Sequence, residues 1–223
     1  SAVANGSFNI DGINIIILYP SNRVSAIQEK QLTTLGGNIT ALEIDGSFDD
    51  CQRMVKAAFQ DIDLRNRLSL SSANSINMAR LLPQSVYYSW AWKLCAENKP
   101  IIFSVPSGNF GNLTGGLLAN RMGLPIEKFI AATNANDTFP HFLSSGTIQH
   151  QDAVQTISNA MDVGVPSNLD RIQNLFHDDV NQVKVDIASW SFPDKDTKES
   201  IRNIQNEFGY LIDPHTAVGV LGL

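Results

Sequence analysis

The sequence has little of what membrane, nucleic-acid and metal-binding proteins depend on. The two cysteines, Cys51 and Cys95, stand far apart with no CxxC spacing, which argues against a disulfide framework or a zinc site and fits a reducing cytoplasm. The four histidines show no metal-ligand spacing, so we expect no metal. No apolar run is long enough to cross a membrane, and the first residues do not resemble a signal peptide. The balance of 16 Lys and Arg against 22 Asp and Glu, with no basic stretch, argues against nucleic acid as the main partner.

The first part of the chain has the pattern of alternating strands and helices. At 223 residues, the chain can hold one large or two modest domains. A strand is predicted at residues 14–19, and a helix capped by Ser25 follows and ends at Gly36-Gly37. A second strand at residues 39–44 precedes a helix that starts at Ser47 or Asp49 and runs through residue 59. This β-α-β-α order predicts a parallel sheet with crossover helices.

The second part of the chain shows the same alternation of helices and strands. A helix that contains Pro83 leads to a strand at residues 101–106, and another helix and strand follow at residues 113–122 and 128–133. Further helices are predicted at residues 169–176 and 196–207, after an irregular polar stretch. The change from the first set of elements to the second falls near Asn74, so we predict two domains, at residues 1–74 and 75–223.

A glycine- and asparagine-rich turn separates the strand at residues 101–106 from the next helix. It reads Ser107, Gly108, Asn109, Phe110, Gly111, Asn112. Glycine lets a ligand approach the backbone, and the N–H groups at a helix N-terminus favour a phosphate. The spacing matches neither the dinucleotide fingerprint nor the nucleotide P-loop. The residues alone leave phosphate binding and an ordinary strand-to-helix turn equally open.

A second polar group, Asn74, Ser75 and Arg80, stands at the expected start of the helix that contains Pro83. An amide, a hydroxyl and a guanidinium at a helix N-terminus can bind an anion. Asn and Ser are also good helix caps. The residues alone therefore favour capping over anion binding.

The order and spacing of several runs together carry a resemblance that neither site shows alone. The sequence strongly resembles threonine synthases of the fungal and enteric-bacterial branch over nearly its whole length. The matching runs include SAVANGSF, SANSINMARLLPQSVYY, SVPSGNFGNLTGGLLA, FIAATNANDT and DPHTAV. The resemblance implies a pyridoxal 5'-phosphate (PLP) dependent α/β fold like the tryptophan synthase β-subunit (fold type II). That fold has two αβα sandwich domains with parallel sheets and holds the cofactor in the cleft between them.

The resemblance also implies an activity and site residues. The family converts O-phospho-L-homoserine and water to L-threonine and phosphate in the cytoplasm. By resemblance, Gly108, Asn109, Phe110, Gly111 and Asn112 hold the cofactor phosphate. Asn74, Ser75 and Arg80 hold the substrate phosphate, which reverses the preference for capping. Asn77 and Asp137 are weaker candidates, with a turn-forming or structural role favoured for each, and His215 and Asp162 lie in matching runs without an assigned role.

The Schiff-base lysine of the family has no counterpart here, because no lysine stands in a Phe-Lys-Asp context. We expect that lysine upstream of Ser1, so residues 1–223 alone are expected not to turn over, and no catalytic residue is assigned among them. Residues 1–74 would then belong to the smaller domain and residues 75–223 to the larger one. The alternatives are a non-catalytic module that binds PLP or phosphate, and another enzyme of the same fold such as threonine dehydratase. The Asn-Ser-x-x-x-x-Arg group argues against the dehydratase, whose substrate has no phosphate. A monomer and a homodimer both remain open.

Overall fold

The computed structural model describes residues 2–74, 77–95, 99–149 and 151–223. The chain divides into two compact units, Ser1–Ala73 and Asn74–Leu223, each with most of its contacts inside itself. We call them the first and the second unit. Within the described residues, no helix combines the length and the apolar content needed to cross a membrane. The same residues contain no group of His, Cys, Asp and Glu side chains able to hold a metal ion.

The first unit is built on a pair of parallel strands. The predicted strands are confirmed, and their register runs from Ile15 opposite Ile39 to Pro20 opposite Ile44. Its elements in chain order are α1 (Ala2–Gly6), β1 (Ile15–Pro20), α2 (Ala26–Thr33), β2 (Ile39–Ile44), α3 (Phe48–Gln60) and α4 (Ile62–Arg67).

Local capping signals set where α2 and α3 begin. The Ser25 hydroxyl accepts a hydrogen bond from the Gln28 N–H at 3.3 Å, and the Gln28 side chain accepts one from the Ser25 N–H at 3.1 Å. Ser47 and Asp50 make the same reciprocal pair at the start of α3. Such a capping box satisfies two backbone N–H groups that a helix end leaves without partners. The predicted cap at Ser25 is confirmed, and Ser47 is the cap of α3.

The second unit contains the remaining helices and strands. Two short 3-10 turns, Met78–Arg80 and Asn159–Met161, lie between its elements. The elements are α5 (Leu82–Cys95), β3 (Ile101–Pro106), α6 (Gly111–Arg121), β4 (Ile126–Thr133), α7 (Thr138–Ser145), α8 (Leu169–Leu175), α9 (Val180–Asp186), β5 (Ile187–Ser191), α10 (Asp194–Phe208) and α11 (Pro214–Leu221).

The strands of the second unit form one parallel sheet in the order β3-β4-β5. Phe103 lies opposite Phe129, and Ile130 lies opposite Ala188. Because the strands are parallel, their carboxyl ends meet at one edge of the sheet, where α/β proteins bind their ligands. The glycine-rich turn follows β3 and therefore leaves from that edge.

Helices cover both faces of this sheet. Side chains alternate along a strand, so Ala131 faces a core cluster that contains Leu113, Leu117 and Ile172, whereas Ala132 faces Val218. The first cluster is built from α5 to α9 and the second involves α11. A parallel sheet with helices on both faces confirms the predicted α/β, αβα fold class.

Several elements differ from the prediction. Pro83 lies in the first turn of α5, where a missing N–H costs nothing, and so marks the start of this helix. Pro214 likewise begins α11. Helices α4 and α9 and strand β5 were not predicted at all. Several apolar residues of α5 lie outside the core, because Val86, Tyr87 and Trp90 are each more than half exposed, whereas Tyr88 is buried.

Candidate phosphate-binding site

Ser107 ties the turn after β3 to the edge of the sheet. Its N–H donates to the Ala132 carbonyl at 2.8 Å, and its hydroxyl donates to the Val105 carbonyl at 2.8 Å. Ser107 is only 3% exposed, so these bonds satisfy polar groups that would otherwise be buried without partners. The turn thus starts from a fixed point at the carboxyl end of β3.

Phe110 fixes the other end of the turn. Its backbone has φ 61° and ψ 11°, a left-handed conformation that costs a non-glycine residue about 1–3 kcal/mol. The buried ring packs against Phe139 with centroids 4.6 Å apart and the ring planes tilted by 39°. The Phe110 carbonyl accepts from the Thr114 hydroxyl at 2.8 Å and from the Thr114 N–H at 2.9 Å. These contacts hold the unusual backbone in place. Helix α6 begins directly after it, and the N–H groups of a first helical turn have no partner within the helix.

Gly108 is required by its neighbour and not by its backbone conformation. A Cβ at this position would lie 2.6 Å from the Cα of Met161, closer than real Cβ contacts come. Only glycine therefore allows the 159–161 turn to close over the loop. Gly111 is different, because the nearest atom to a Cβ there would be Leu81 Cδ2 at 3.5 Å, an ordinary contact.

Asn109 uses its side chain to fasten the loop. Its Oδ1 accepts from the Ser167 N–H at 2.6 Å and from the Ser167 hydroxyl at 3.0 Å. Its carbonyl accepts from Asn168 Nδ2 at 2.8 Å, and Asn168 is 1% exposed. The loop is therefore held by a segment distant in sequence.

Two side chains of α5 hold Asn112 in place. Its side-chain oxygen accepts from the Tyr88 hydroxyl at 2.7 Å, and its Nδ2 donates to Gln84 Oε1 at 3.2 Å. Burial raises the pKa of Tyr88, so the phenol stays protonated and remains a donor. With both asparagine side chains engaged in holding the loop, the groups suited to bind a phosphate are backbone N–H groups, as in an anion-binding nest.

A cavity of about 280 Å³ lies against residues 106–113. Ala160, Met161 and His215 also line it. The structure therefore brings the first turn of α11 and the 159–161 turn to the predicted loop. In the sequence, His215 stands out only as part of the matching run DPHTAV.

The second predicted group is only partly described. Ser75 lies outside the described residues. Asn77 caps the 3-10 turn at residues 78–80, and its side chain accepts from the Ala79 N–H at 3.0 Å. The Arg80 side chain is exposed, and its carbonyl accepts from Gln84 Nε2 at 3.2 Å. Gln84 thus contacts both Arg80 and Asn112, one residue from each predicted phosphate group.

The remaining sequence candidates have structural positions. Asp137 precedes α7, and its carbonyl accepts from the His141 N–H at 3.0 Å. Asp162 accepts from Thr156 and from Asn134 at 2.7–2.9 Å, which fixes the segment that carries Met161. The position of Asp137 fits the turn-forming or structural role expected for it, and the hydrogen bonds of Asp162 give this residue a structural role that the sequence did not assign.

Asp213 at the start of α11 gives a pH prediction. Hydrogen bonds from the Thr216 hydroxyl, and secondarily from backbone N–H groups and the His215 ring, lower its pKa from 3.8 to about 2. Because the folded pKa lies below the unfolded one, the stabilisation is present above pH 3.8 and is lost as the pH falls toward about 2. Asp213→Asn keeps a capping oxygen but carries no charge.

We therefore expect the unfolding midpoint of the Asp213→Asn variant to fall less steeply with acid across this window than that of the wild type. Thermal unfolding followed by circular dichroism at several pH values measures this. Equal acid dependence of the two proteins would contradict the prediction.

The residues that support the loop were not predicted. Met161, Ser167, Asn168, Gln84 and Tyr88 all contact it. Gln84 and Tyr88 stand in SANSINMARLLPQSVYY, one of the runs that carry the resemblance, and this was the available signal.

A strand, a glycine-rich turn and a helix N-terminus meet at the carboxyl edge of a parallel sheet, an arrangement in which α/β proteins commonly bind phosphate groups. The family model described as "Pyridoxal-phosphate dependent enzyme" matches residues 2–223. The chain belongs to this family, whose cofactor is pyridoxal phosphate.

Individual relatives agree with the family. Threonine synthase from Serratia marcescens is 47% identical over 225 residues, which cover 100% of this chain and 52% of the relative. The crystal structure of threonine synthase from Escherichia coli superposes with a TM-score of 0.90 at 45% identity and covers 100% of this chain and 52% of its own. The PLP-bound threonine synthase from Brucella melitensis gives 0.85 at 36% identity and covers 99% of this chain and 53% of its own. The chain spans about half the length of the relatives it matches.

Proposed function

We propose that the protein carrying this chain is a threonine synthase, which forms L-threonine and phosphate from O-phospho-L-homoserine and water in the cytoplasm. The observation that carries the proposal is the 108–112 loop, fixed at the carboxyl edge of the sheet with a cavity in front of it. Similarity to threonine synthases along the whole chain supports it.

In this proposal the loop from Gly108 to Asn112 holds the phosphate of PLP through its backbone. The residues fit the group, because Met161 closes over Gly108 while the first turn of α6 opens toward the cavity. When bound, PLP supplies an electron sink for the reacting carbon. Asn109 and Asn112 keep the loop in position, so that the N–H groups do not have to reorganise on binding.

Asn74, Ser75 and Arg80 would hold the phosphate of the substrate. The contacts of Gln84 with Arg80 and Asn112 support a position near the cofactor loop. A guanidinium is well suited to grip the departing phosphate, because it can donate two parallel hydrogen bonds.

The proposal also assigns the two domains. Residues 1–74 would belong to the smaller domain and residues 75–223 to the larger one, and the division of contacts after Ala73 supports this. The covalent lysine would be supplied by a part of the protein outside these residues, since no lysine here has the expected Phe-Lys-Asp context.

The test is an assay of the complete protein that carries this chain, loaded with PLP. We expect O-phospho-L-homoserine to yield equal amounts of phosphate and L-threonine. Conversion of L-threonine to its 2-oxo acid and ammonia, with no reaction of the phosphorylated substrate, would overturn the proposal in favour of a dehydratase.

Arg80 allows a test on the chain itself. We expect Arg80→Ala to weaken binding of O-phospho-L-homoserine about tenfold, the effect of losing one charge-assisted hydrogen bond. Isothermal titration with O-phospho-L-homoserine and with L-homoserine measures the contribution of the phosphate.

The matched control is Arg202→Ala, which removes the same charge from an exposed position of α10. It should leave the affinity unchanged. Equal losses in both variants would mean that Arg80 acts only through the net charge of the chain.

A further inference from the structure

His215 lies in the first turn of α11 beside the residue that caps this helix. Its Nδ1 is 3.0 Å from Asp213 Oδ1, and the same oxygen accepts from the His215 N–H at 2.8 Å. The other carboxylate oxygen of Asp213 accepts from the Thr216 hydroxyl at 2.6 Å. The carboxylate is therefore itself held in place, and the imidazole has one defined direction.

The opposite side of the ring reaches a different segment. His215 Nε2 accepts a hydrogen bond from the Ala160 N–H at 3.3 Å. Because a backbone N–H can only donate, Nε2 must carry a lone pair. The ring proton then lies on Nδ1, where Asp213 accepts it. The two bonds together assign the neutral Nδ1–H tautomer.

Ala160 lies in the 159–161 turn, which lies against the predicted phosphate loop. It precedes Met161, the residue whose backbone closes over Gly108. His215, Ala160 and Met161 all line the cavity in front of the loop. One imidazole thus links the start of α11 to the turn that sets how closely the loop is covered.

We propose that His215 is a positioning residue for the phosphate loop, held by Asp213 as the Nδ1–H tautomer so that Nε2 secures the Ala160 N–H and keeps Met161 against Gly108. This rests on the proposed role of the loop in binding the PLP phosphate. His215 has no part in the chemistry here, since its Nε2 lone pair is already used. It acts on the cofactor through the 159–161 turn.

The experiment compares His215→Ala with His215→Gln. The glutamine Oε1 can take the place of Nε2 as an acceptor for the Ala160 N–H, whereas alanine cannot. We expect His215→Ala to weaken PLP binding about three- to tenfold, the effect of one lost hydrogen bond, and His215→Gln to bind within about twofold of the wild type. Absorbance titration with PLP of the complete protein that carries this chain measures both.

Nitrogen-15 NMR of the wild-type imidazole tests the tautomer independently of PLP. The expected spectrum has a protonated Nδ1 and an unprotonated Nε2. A protonated Nε2 would overturn the proposal, as would a His215→Gln variant that folds like the wild type but binds PLP as weakly as His215→Ala.

The two proposals can fail separately. A complete wild-type protein with the expected tautomer but no affinity for PLP would count against the role of the loop in cofactor binding. In that case the hydrogen-exchange rate of the Ala160 N–H tests the positioning role of His215. The rate should be faster in His215→Ala than in the wild type and should return to the wild-type value in His215→Gln. Equal exchange in all three proteins would overturn that role as well.

Discussion

Replacing Asp162 by alanine is expected to lower the free energy of unfolding by about 2–4 kcal/mol, because the change leaves buried hydrogen-bond donors without a charged acceptor. Asp162 Oδ1 accepts from Thr156 Oγ1 at 2.7 Å and from Asn134 Nδ2 at 2.9 Å, and Oδ2 accepts from the Thr156 N–H at 2.9 Å. Asn136 Nδ2 adds a longer bond of 3.3 Å.

The size of this effect follows from the burial of the partners. Asn134 is 1% exposed and Asn136 is 8% exposed, so water cannot easily replace the carboxylate. In the Asp162→Ala variant, Asn134 Nδ2 still has its hydrogen bonds to Thr156 and Ser158, and these limit the loss of stability. The segment around Met161 should nevertheless loosen, so PLP binding should weaken together with stability.

Urea unfolding of the chain measures the change. Asp152→Ala is the matched control, because Asp152 lies in the same irregular segment but is exposed. It should change stability by less than about 0.5 kcal/mol, as surface substitutions usually do. A similar loss in both variants would show that the 152–162 segment as a whole, and not the hydrogen bonds of Asp162, is sensitive to substitution.

The fold was largely predictable where the signals are local. The strand at residues 39–44 was predicted with the bounds that the structure has, and the Ser25 cap followed from residues three positions apart. Strand β5 was missed, because Ile187 to Ser191 reads IASWS, with two serines and little alternation. It is a strand because it pairs with β4, and such pairing is a tertiary effect that outweighs propensity.

In the candidate site, too, the local features were predictable from the sequence and the long-range contacts were not. The loop is recognisable because its glycines and the following helix are contiguous in sequence. Its supports are not, since Asn109 bonds to Ser167, 58 positions along the chain, and Gly108 is dictated by the backbone of Met161. The cap at Asn77 depends on the 3-10 turn at residues 78–80, which the sequence pattern does not indicate.

Gly108 provides the second large effect. We expect Gly108→Ala to destabilise the second unit by about 1–3 kcal/mol, the usual cost of an extra group in a well-packed place. The new Cβ would stand 2.6 Å from Met161 Cα and 3.2 Å from Met161 C, and backbone atoms cannot rotate away as a side chain can. The loop or the 159–161 turn must therefore move.

That movement should weaken PLP binding about a hundredfold, because a displacement of about 1 Å is enough to misdirect a set of fixed donors. Absorbance titration with PLP and urea unfolding of the same sample measure both effects. A Gly108→Ala chain that binds PLP like the wild type would show that the loop does not hold the cofactor phosphate.

Gly111→Ala is the matched control, with the same substitution three residues along the same loop. Its Cβ would meet only Leu81 Cδ2 at 3.5 Å, Asn168 Nδ2 at 3.7 Å and Gln84 Nε2 at 4.0 Å. Alanine also favours a helix over glycine by up to about 1 kcal/mol, so stability should be kept or slightly raised. Because the new methyl group would face these side chains, PLP binding should stay close to that of the wild type. A contrast between the two glycines would thus show that the loop depends on the close approach of Met161, whereas equal losses would mean that any added side chain in the loop is excluded by the ligand itself.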